Sequence, residues 1–128
     1  MAEPAEAEQL NPDAFRGFLE RSRSGDDGPV VMLNLLEFKP DGGREKYMEY
    51  GEAVAPILEG VGGKPVFTAT GGRALIGGDR TWDLVLLVRY PSRAAFLEMI
   101  GSPEYQAIAH LRTEALTYSE LHPLDAGE

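Results

Sequence analysis

Short apolar runs bounded by turn residues alternate along this chain with segments in which apolar residues recur every three or four positions. The runs are typical of buried strands, and the wider spacing is typical of helices that pack on one side. The strongest strand pattern, WDLVLLVRY, has one apolar face and a second face that is largely apolar. The predicted strands are PVVMLNLLEF at 29–38, KPVFTATGG at 64–72, WDLVLLVRY at 82–90 and LTYSELH at 116–122.

Helix ends are marked by residues that cap free amides. Asn11 followed by Pro12 is a favourable helix start, and Ser92 and Ser102 precede two further apolar segments in the same way. Gly101 lies between those two segments, and its backbone freedom is expected to close the first of them. RALIGG, at 73–78, is expected to continue the second strand or to pair with it as a hairpin. The predicted helices cover residues 12–22, 44–59, 93–100 and 103–115.

After the leading helix, the order of elements is β-α-β-β-α-β. This order is that of the ferredoxin-like α+β fold, in which helices cover one face of an antiparallel sheet. The opposite face is too apolar for a small monomer to expose, so we expect two copies to pair into a dimeric α+β barrel. The predicted organisation is a disordered acidic tail at 1–9, a helical extension at 10–25, the ferredoxin-like domain at 29–123 and a tail at 124–128.

The composition of the chain limits which binding partners and which cellular compartment are expected. The chain has 128 residues, a net charge of −9 and no cysteine. Its acidity disfavours nucleic acid and anionic membrane surfaces as partners. The absence of cysteine excludes disulfides and thiolate metal sites, and it suits a reducing compartment, so a cytoplasmic location is expected. The first residues lack the pattern of a secretory signal, and no apolar run is long enough to span a membrane.

Five polar or aromatic side chains are candidates for lining a pocket. Asn34 interrupts an apolar strand, where an amide needs partners and could anchor a ligand or a neighbouring loop. Arg89 and Arg112 are candidates for holding an anion, although Arg89 could instead pair with Glu37. Tyr105 follows the helix break, which could form a pocket rim or simply cap a helix. The candidate set is Asn34, Tyr50, Arg89, Tyr105 and Arg112.

No metal or cofactor site is predicted from the sequence. His110 and Glu114 are four residues apart and share a helix face, which supplies at most half of a metal site. His122 is the other histidine, and the two do not complete a convincing ligand set. A single histidine can bind haem, but no other feature of the chain supports that interpretation. Exposed helix and strand positions are the simpler explanation of both residues.

A family resemblance is carried by PVVMLNLLEF and by WDLVLLVRYPSRAAFLEMIGSPEYQAIAHLR, at 29–38 and 82–112. These segments resemble the bacterial family called domain of unknown function 1330, or DUF1330, within the dimeric α+β barrel superfamily. The resemblance spans about residues 29–122 and implies the ferredoxin-like fold and a homodimer. The superfamily includes aromatic polyketide oxygenases, lactone isomerases, haem enzymes and non-catalytic members, so the resemblance does not select a reaction.

Two functional hypotheses follow. The first is a homodimer that binds a small apolar or aromatic metabolite between sheet and helices, with or without turnover. Catalysis would then be independent of cofactors: Asn34 would orient a carbonyl, Arg89 or Arg112 would stabilise negative charge, and Tyr105 would donate a proton. The alternative is a non-catalytic structural or interaction module, in which the same polar residues serve packing and dimerisation.

Overall fold

The computed structural model describes residues 9–126 of the chain. The predicted acidic tail at 1–9 lies outside the described residues except for Gln9, and so do the last two residues of the predicted tail at 124–128. Within the described part, the elements in chain order are α1 (Pro12–Ser22), β1 (Val30–Phe38), α2 (Gly43–Gly60), β2 (Lys64–Ala69), β3 (Leu84–Tyr90), α3 (Arg93–Gly101), α4 (Pro103–Ala115) and β4 (Leu116–Asp125).

The strands form one antiparallel sheet in the order β2-β3-β1-β4. The connection from β1 to β2 and the connection from β3 to β4 carry the helices, and each crosses over one strand, which is the arrangement expected for the ferredoxin-like order of elements. Side chains alternate along β1, and every second one is buried. The buried set packs against apolar residues of the helices in two connected clusters, so the core lies between the sheet and one layer of helices. The intervening side chains of β1 point to the other face, called here the open face.

The break between α3 and α4 is made by Ser102, which ends one helix and begins the next. Its hydroxyl donates to the carbonyl oxygen of Met99 at 2.8 Å and accepts from the backbone N–H of Tyr105 at 3.1 Å. Its backbone is extended, with φ −74° and ψ 148°. Gly101 is the last residue of α3 and has no positive φ, so the expectation that Gly101 closes the helix is wrong. The serine redirects the chain because it satisfies a free carbonyl and a free amide together.

Helix α1 is held on the domain by its own apolar contact and by the loop that follows it. Phe18 is buried and meets the ring of Phe96 edge to face, with 5.6 Å between ring centroids. Asp27 accepts hydrogen bonds from the backbone N–H groups of Arg93 at 2.7 Å and Ala94 at 3.2 Å, which lie in the first turn of α3. The predicted helical extension therefore contributes to the core, and the loop that follows it satisfies free amides of α3.

Three boundaries differ from those predicted. Residues 70–83 form no helix or strand, so the second strand ends at Ala69 and RALIGG is neither its continuation nor a hairpin; the glycines of this segment weaken any strand. The third strand begins at Leu84 and not at Trp82, and just before it the carboxylate of Asp83 accepts from the backbone N–H of Phe38 at 2.8 Å. The last strand continues to Asp125, where it still pairs with Val30, so the predicted tail starts too early.

Candidate functional site

Asn34 lies on the face of β1 that packs against the helices, and the protein uses both ends of its amide. Its Nδ2 donates to the carbonyl oxygens of Met32 at 3.3 Å and Leu86 at 3.5 Å. Its Oδ1 accepts from Nη2 of Arg112 at 3.1 Å. Only 8% of the residue is exposed. The amide therefore joins two strands and α4, which is what a buried polar group needs in order to avoid a large desolvation penalty.

Arg112 is buried on α4, next to the sheet. Burial lowers the pKa of its guanidinium to about 10 because the charged form loses hydration. That pKa is still well above neutral pH, so the side chain remains a cation inside the core. A buried cation of this kind is held in place by its hydrogen bonds, and the contact with Asn34 ties α4 to the centre of the sheet.

Tyr50 of α2 and Tyr105 of α4 form a second buried polar pair. Their hydroxyl oxygens are 2.9 Å apart, and their rings meet edge to face with centroids separated by 6.3 Å. Burial raises the pKa of both phenols, so both remain neutral at physiological pH. One hydroxyl donates to the other, which joins the two helices across the core.

Arg89 is separated from the other four candidates, because its side chain is exposed on the open face. In the sheet it lies opposite Val31, one position out of phase with the buried residues of β1. The suggested pairing with Glu37 is wrong: Oε1 of Glu37 accepts from Nη1 of Arg80 at 2.7 Å. The structure thus brings together Asn34 with Arg112 and Tyr50 with Tyr105, and it leaves Arg89 on the opposite side of the sheet.

Two surface clefts lie away from these residues. One, of about 350 Å³, includes Ser102 and Glu104 at the helix break, so that break does border a cleft. Tyr105 and Arg112 do not line this cleft. The other, of about 480 Å³, lies where α1 meets the end of β4. None of the five candidate residues lines either cleft.

The open face combines a row of apolar side chains with a row of polar ones. Because side chains alternate along a strand, the residues of β1 and β3 that do not face the helices lie on this face. Their partners in register on β2 and β4 lie on the same face. The apolar members are Val31, Leu33, Leu35, Phe67, Val85, Leu87 and Leu124.

The polar row runs along β4 and is joined by hydrogen bonds. The hydroxyl of Tyr118 donates to Oε2 of Glu120 at 2.7 Å, and Nε2 of His122 lies 2.9 Å from Oε1 of the same carboxylate. The bond to Tyr118 and then the bond to His122 lower the pKa of Glu120, while the bond to the carboxylate raises the pKa of the Tyr118 phenol. The sequence interpretation did not single out Tyr118 or Glu120. The signal was present in TYSELH, where residues two apart share a face of the strand.

The loop before β3 brings a cation and an aromatic ring onto the same face. The guanidinium of Arg80 lies 3.6 Å above the ring centroid of Tyr118 and also bonds to Glu37. The ring of Trp82 stacks on Tyr118 with centroids 5.9 Å apart and an angle of 28° between planes. An arginine over an aromatic face gains electrostatic stabilisation, so Arg80 is fixed from two sides.

Among residues 9–126, no group of three or more His, Cys, Asp or Glu side chains is arranged to hold a metal ion. Glu114, which was considered together with His110, instead pairs with Nζ of Lys46 at 3.3 Å. The helices of the same part of the chain include none that is long and apolar enough to cross a membrane.

Comparison with solved structures identifies the fold class. A protein of unknown function from Rhodopseudomonas palustris is 33% identical, with a TM-score of 0.82, and the match covers 95% of this chain and 98% of that one. A dimeric ferredoxin-like protein from Jannaschia sp. CCS1 is 13% identical, with a TM-score of 0.61 and coverage of 77% and 100%. A dimeric protein with a ferredoxin-like fold from Bacteroides fragilis is 14% identical, with a TM-score of 0.53 and coverage of 77% and 97%. The predicted ferredoxin-like α+β fold is confirmed.

The family assignment follows from a sequence profile. The family described as "Domain of unknown function (DUF1330)" matches residues 42–121, which is more than half of the chain. The chain therefore belongs to the DUF1330 family, as its sequence segments predict. No curated protein matches it.

Proposed function

We propose that two copies of this chain associate through their open faces, and that the dimer binds a small apolar or aromatic molecule between them. The observation that carries the proposal is the composition of the open face, which places apolar side chains beside the Trp82–Tyr118 stack. Sites for small molecules combine an apolar lining with a few placed polar groups, and the open face has both. On a single chain this surface lies uncovered, so a second copy is needed to enclose it.

A second copy is the occupant that best matches the open face. Monomeric proteins rarely expose apolar patches larger than a few hundred Å². Phe67 on this face is 53% exposed. In the loop at 70–83, the side chains of Leu75 and Ile76 are fully exposed as well. A two-fold dimer covers the same patch on both chains at once. The Jannaschia and Bacteroides proteins, which share the fold, are described as dimeric, and this supports the same assembly here.

Sedimentation equilibrium over a range of protein concentrations tests the assembly. We expect the wild type to sediment as a dimer and Leu33→Lys to sediment as a monomer, because a charge at the centre of the apolar row would be buried without a partner. Met48→Lys is the control for adding a lysine, since Met48 is exposed and belongs to α2 on the other side of the sheet. A wild type that remains monomeric at the highest concentration contradicts the proposal.

Thermal unfolding with small aromatic and carboxylate compounds tests ligand binding. A compound that binds only the folded dimer raises the melting temperature in proportion to the logarithm of its excess over its Kd. The compounds are tested on the wild type, on Trp82→Ala and on Asn34→Ala. Loss of the response in Trp82→Ala alone supports a site on the open face, whereas loss in Asn34→Ala alone places the site between sheet and helices, where the sequence predicted it.

The second candidate function is a structural or interaction module without a small ligand. It is favoured by the satisfied contacts of the buried residues, since both ends of the Asn34 amide bond within the protein and Tyr50 bonds to Tyr105. In that case none of the compounds raises the melting temperature, and Asn34→Ala is strongly destabilised. The expected result of the sedimentation experiment is the same for both candidate functions.

A further inference from the structure

We infer that Tyr118, Glu120 and His122 form an acid–base site on the open face, which takes a flat apolar molecule that carries an acidic hydroxyl group. The inference rests on the proposed dimer for the enclosure of the site. The hydrogen-bonded row itself belongs to a single chain, so its geometry does not depend on the assembly.

The carboxylate of Glu120 determines which nitrogen of His122 acts as a base. An ionised carboxylate only accepts hydrogen bonds, and Glu120 receives one from the Tyr118 hydroxyl at 2.7 Å. The nitrogen of His122 that faces it, Nε2 at 2.9 Å, must therefore carry the proton. In the neutral imidazole the other nitrogen, Nδ1, is then the acceptor. Tyr118 and Glu120 act here as positioning residues, and His122 is the group that meets the ligand.

The surroundings of the row favour a flat apolar body for the ligand. His122 lies opposite Leu33, and Glu120 lies opposite Leu35, so the base borders the apolar row of β1. At the other end of the row, Trp82 stacks on Tyr118. A planar molecule laid along β1 therefore contacts aliphatic side chains while its hydroxyl reaches the imidazole. A surface that combines aliphatic and aromatic side chains with a few polar groups is suited to binding aromatic or conjugated compounds.

Charge on the open face favours the anion formed by proton transfer. In the proposed step the O–H bond of the ligand breaks, an N–H bond forms at Nδ1, and the electron pair stays on the ligand oxygen. The new imidazolium is balanced by the carboxylate of Glu120, which lies 2.9 Å from Nε2 of His122. The step is reversible and needs no oxidant or other co-reactant. Phenols and enols are the compounds whose hydroxyl groups are acidic enough for it.

The probe is 4-nitrophenol, with 4-nitroanisole as a matched compound that lacks the hydroxyl. We expect the wild type to bind 4-nitrophenol about tenfold more tightly than 4-nitroanisole, with a larger fraction present as the nitrophenolate ion, by absorbance, when bound than when free in the same buffer. His122→Gln removes this preference, whereas His110→Gln, which changes an exposed histidine on α4, keeps it. Equal affinity for the two probes, or a preference that survives His122→Gln, overturns the inference.

Nitrogen NMR reports the tautomer directly, and the chain has just two histidines to assign. In mildly alkaline buffer we expect His122 of the wild type to carry its proton on Nε2. In Glu120→Gln we expect the proton of His122 to be shared between the two ring nitrogens, because an amide can donate as well as accept a hydrogen bond. We expect this variant also to lose the preference for 4-nitrophenol. A mixed tautomer in the wild type overturns the inference.

The two proposals fail in different ways. If the wild type sediments as a monomer, the proposed dimer is wrong, while the tautomer of His122 is still measured on the single chain. If His122→Gln dissociates the dimer but the wild type does not distinguish the two probes, His122 is an interface residue and the acid–base inference is wrong. A dimeric His122→Gln variant that has lost the preference for 4-nitrophenol supports both.

Discussion

The contact between Asn34 and Arg112 gives a quantitative prediction. Asn34→Ala removes the oxygen that accepts from Nη2 of Arg112 at 3.1 Å, inside a region where both residues are buried. A hydrogen bond to a charged group contributes about 1.5–3 kcal/mol, and the loss of a buried acceptor leaves the guanidinium less well solvated. We therefore expect Asn34→Ala to lower the free energy of unfolding by about 2–3 kcal/mol.

The reciprocal change, Arg112→Met, keeps much of the apolar stem and removes the cation. It leaves Oδ1 of Asn34 without this donor, but it also relieves the cost of burying a charge, so the net loss is expected to be smaller. If the bond contributes as the geometry indicates, the double variant is more stable than the sum of the single losses predicts. The expected coupling energy is about 1.5–3 kcal/mol.

Urea unfolding followed by far-ultraviolet circular dichroism measures all four proteins of this cycle. Protein concentration is held constant, because a dimer gains stability with concentration. A second cycle that combines Asn34→Ala with Leu10→Ala, at an exposed position, is the control and should be additive within about 0.5 kcal/mol. A coupling energy between Asn34 and Arg112 no larger than that of the control would refute the reasoning, because the bond would then contribute nothing measurable.

Three further predictions concern stability. Asp27→Ala removes the acceptor of two backbone N–H groups in the first turn of α3 and should cost about 1–2 kcal/mol in chemical unfolding, whereas the neighbouring exposed Asp26→Ala should cost less than about 0.5 kcal/mol. Phe18→Ala should cost about 3 kcal/mol, and a near-zero loss would contradict the packing of α1. Unfolding measured above about pH 10 should show falling stability, by about 1.4 kcal/mol per pH unit for each buried tyrosine. Unfolded tyrosines ionise there, while burial raises the pKa of Tyr47, Tyr50 and Tyr90.

The alkaline prediction has an opposing contribution from Arg112. Its folded-state pKa, about 10, lies below that of an ordinary arginine, so the cost of burying its charge is present at neutral pH and is relieved as the pH rises above about 10. The titration of Arg112 involves one proton and raises the stability, whereas the titration of each buried tyrosine involves one proton and lowers it. The balance is a net loss, and stability that rises between about pH 10 and 11 would contradict it.

Local chemistry determined the type and order of the elements in this protein, and the sequence was sufficient to predict that order, although three boundaries differ. Ser102 ends one helix and starts another through hydrogen bonds to residues three positions away on either side, so no distant contact is needed. The strand and helix periods are also local, and they predicted the order of elements and hence the ferredoxin-like sheet. The likeness to the DUF1330 family was likewise carried by contiguous segments and is confirmed by the match to residues 42–121.

Tertiary structure alone decided which polar side chains meet. A side chain in a strand points to one of two faces, and the choice is fixed by register with neighbouring strands and by the layer of helices. Asn34 therefore faces Arg112, which is 78 positions away, while Arg89 lies on the other side of the sheet. The bond between Glu37 and Arg80 depends on how the loop at 70–83 returns to the sheet. Such contacts form only when distant segments pack together, and no spacing along the chain records them.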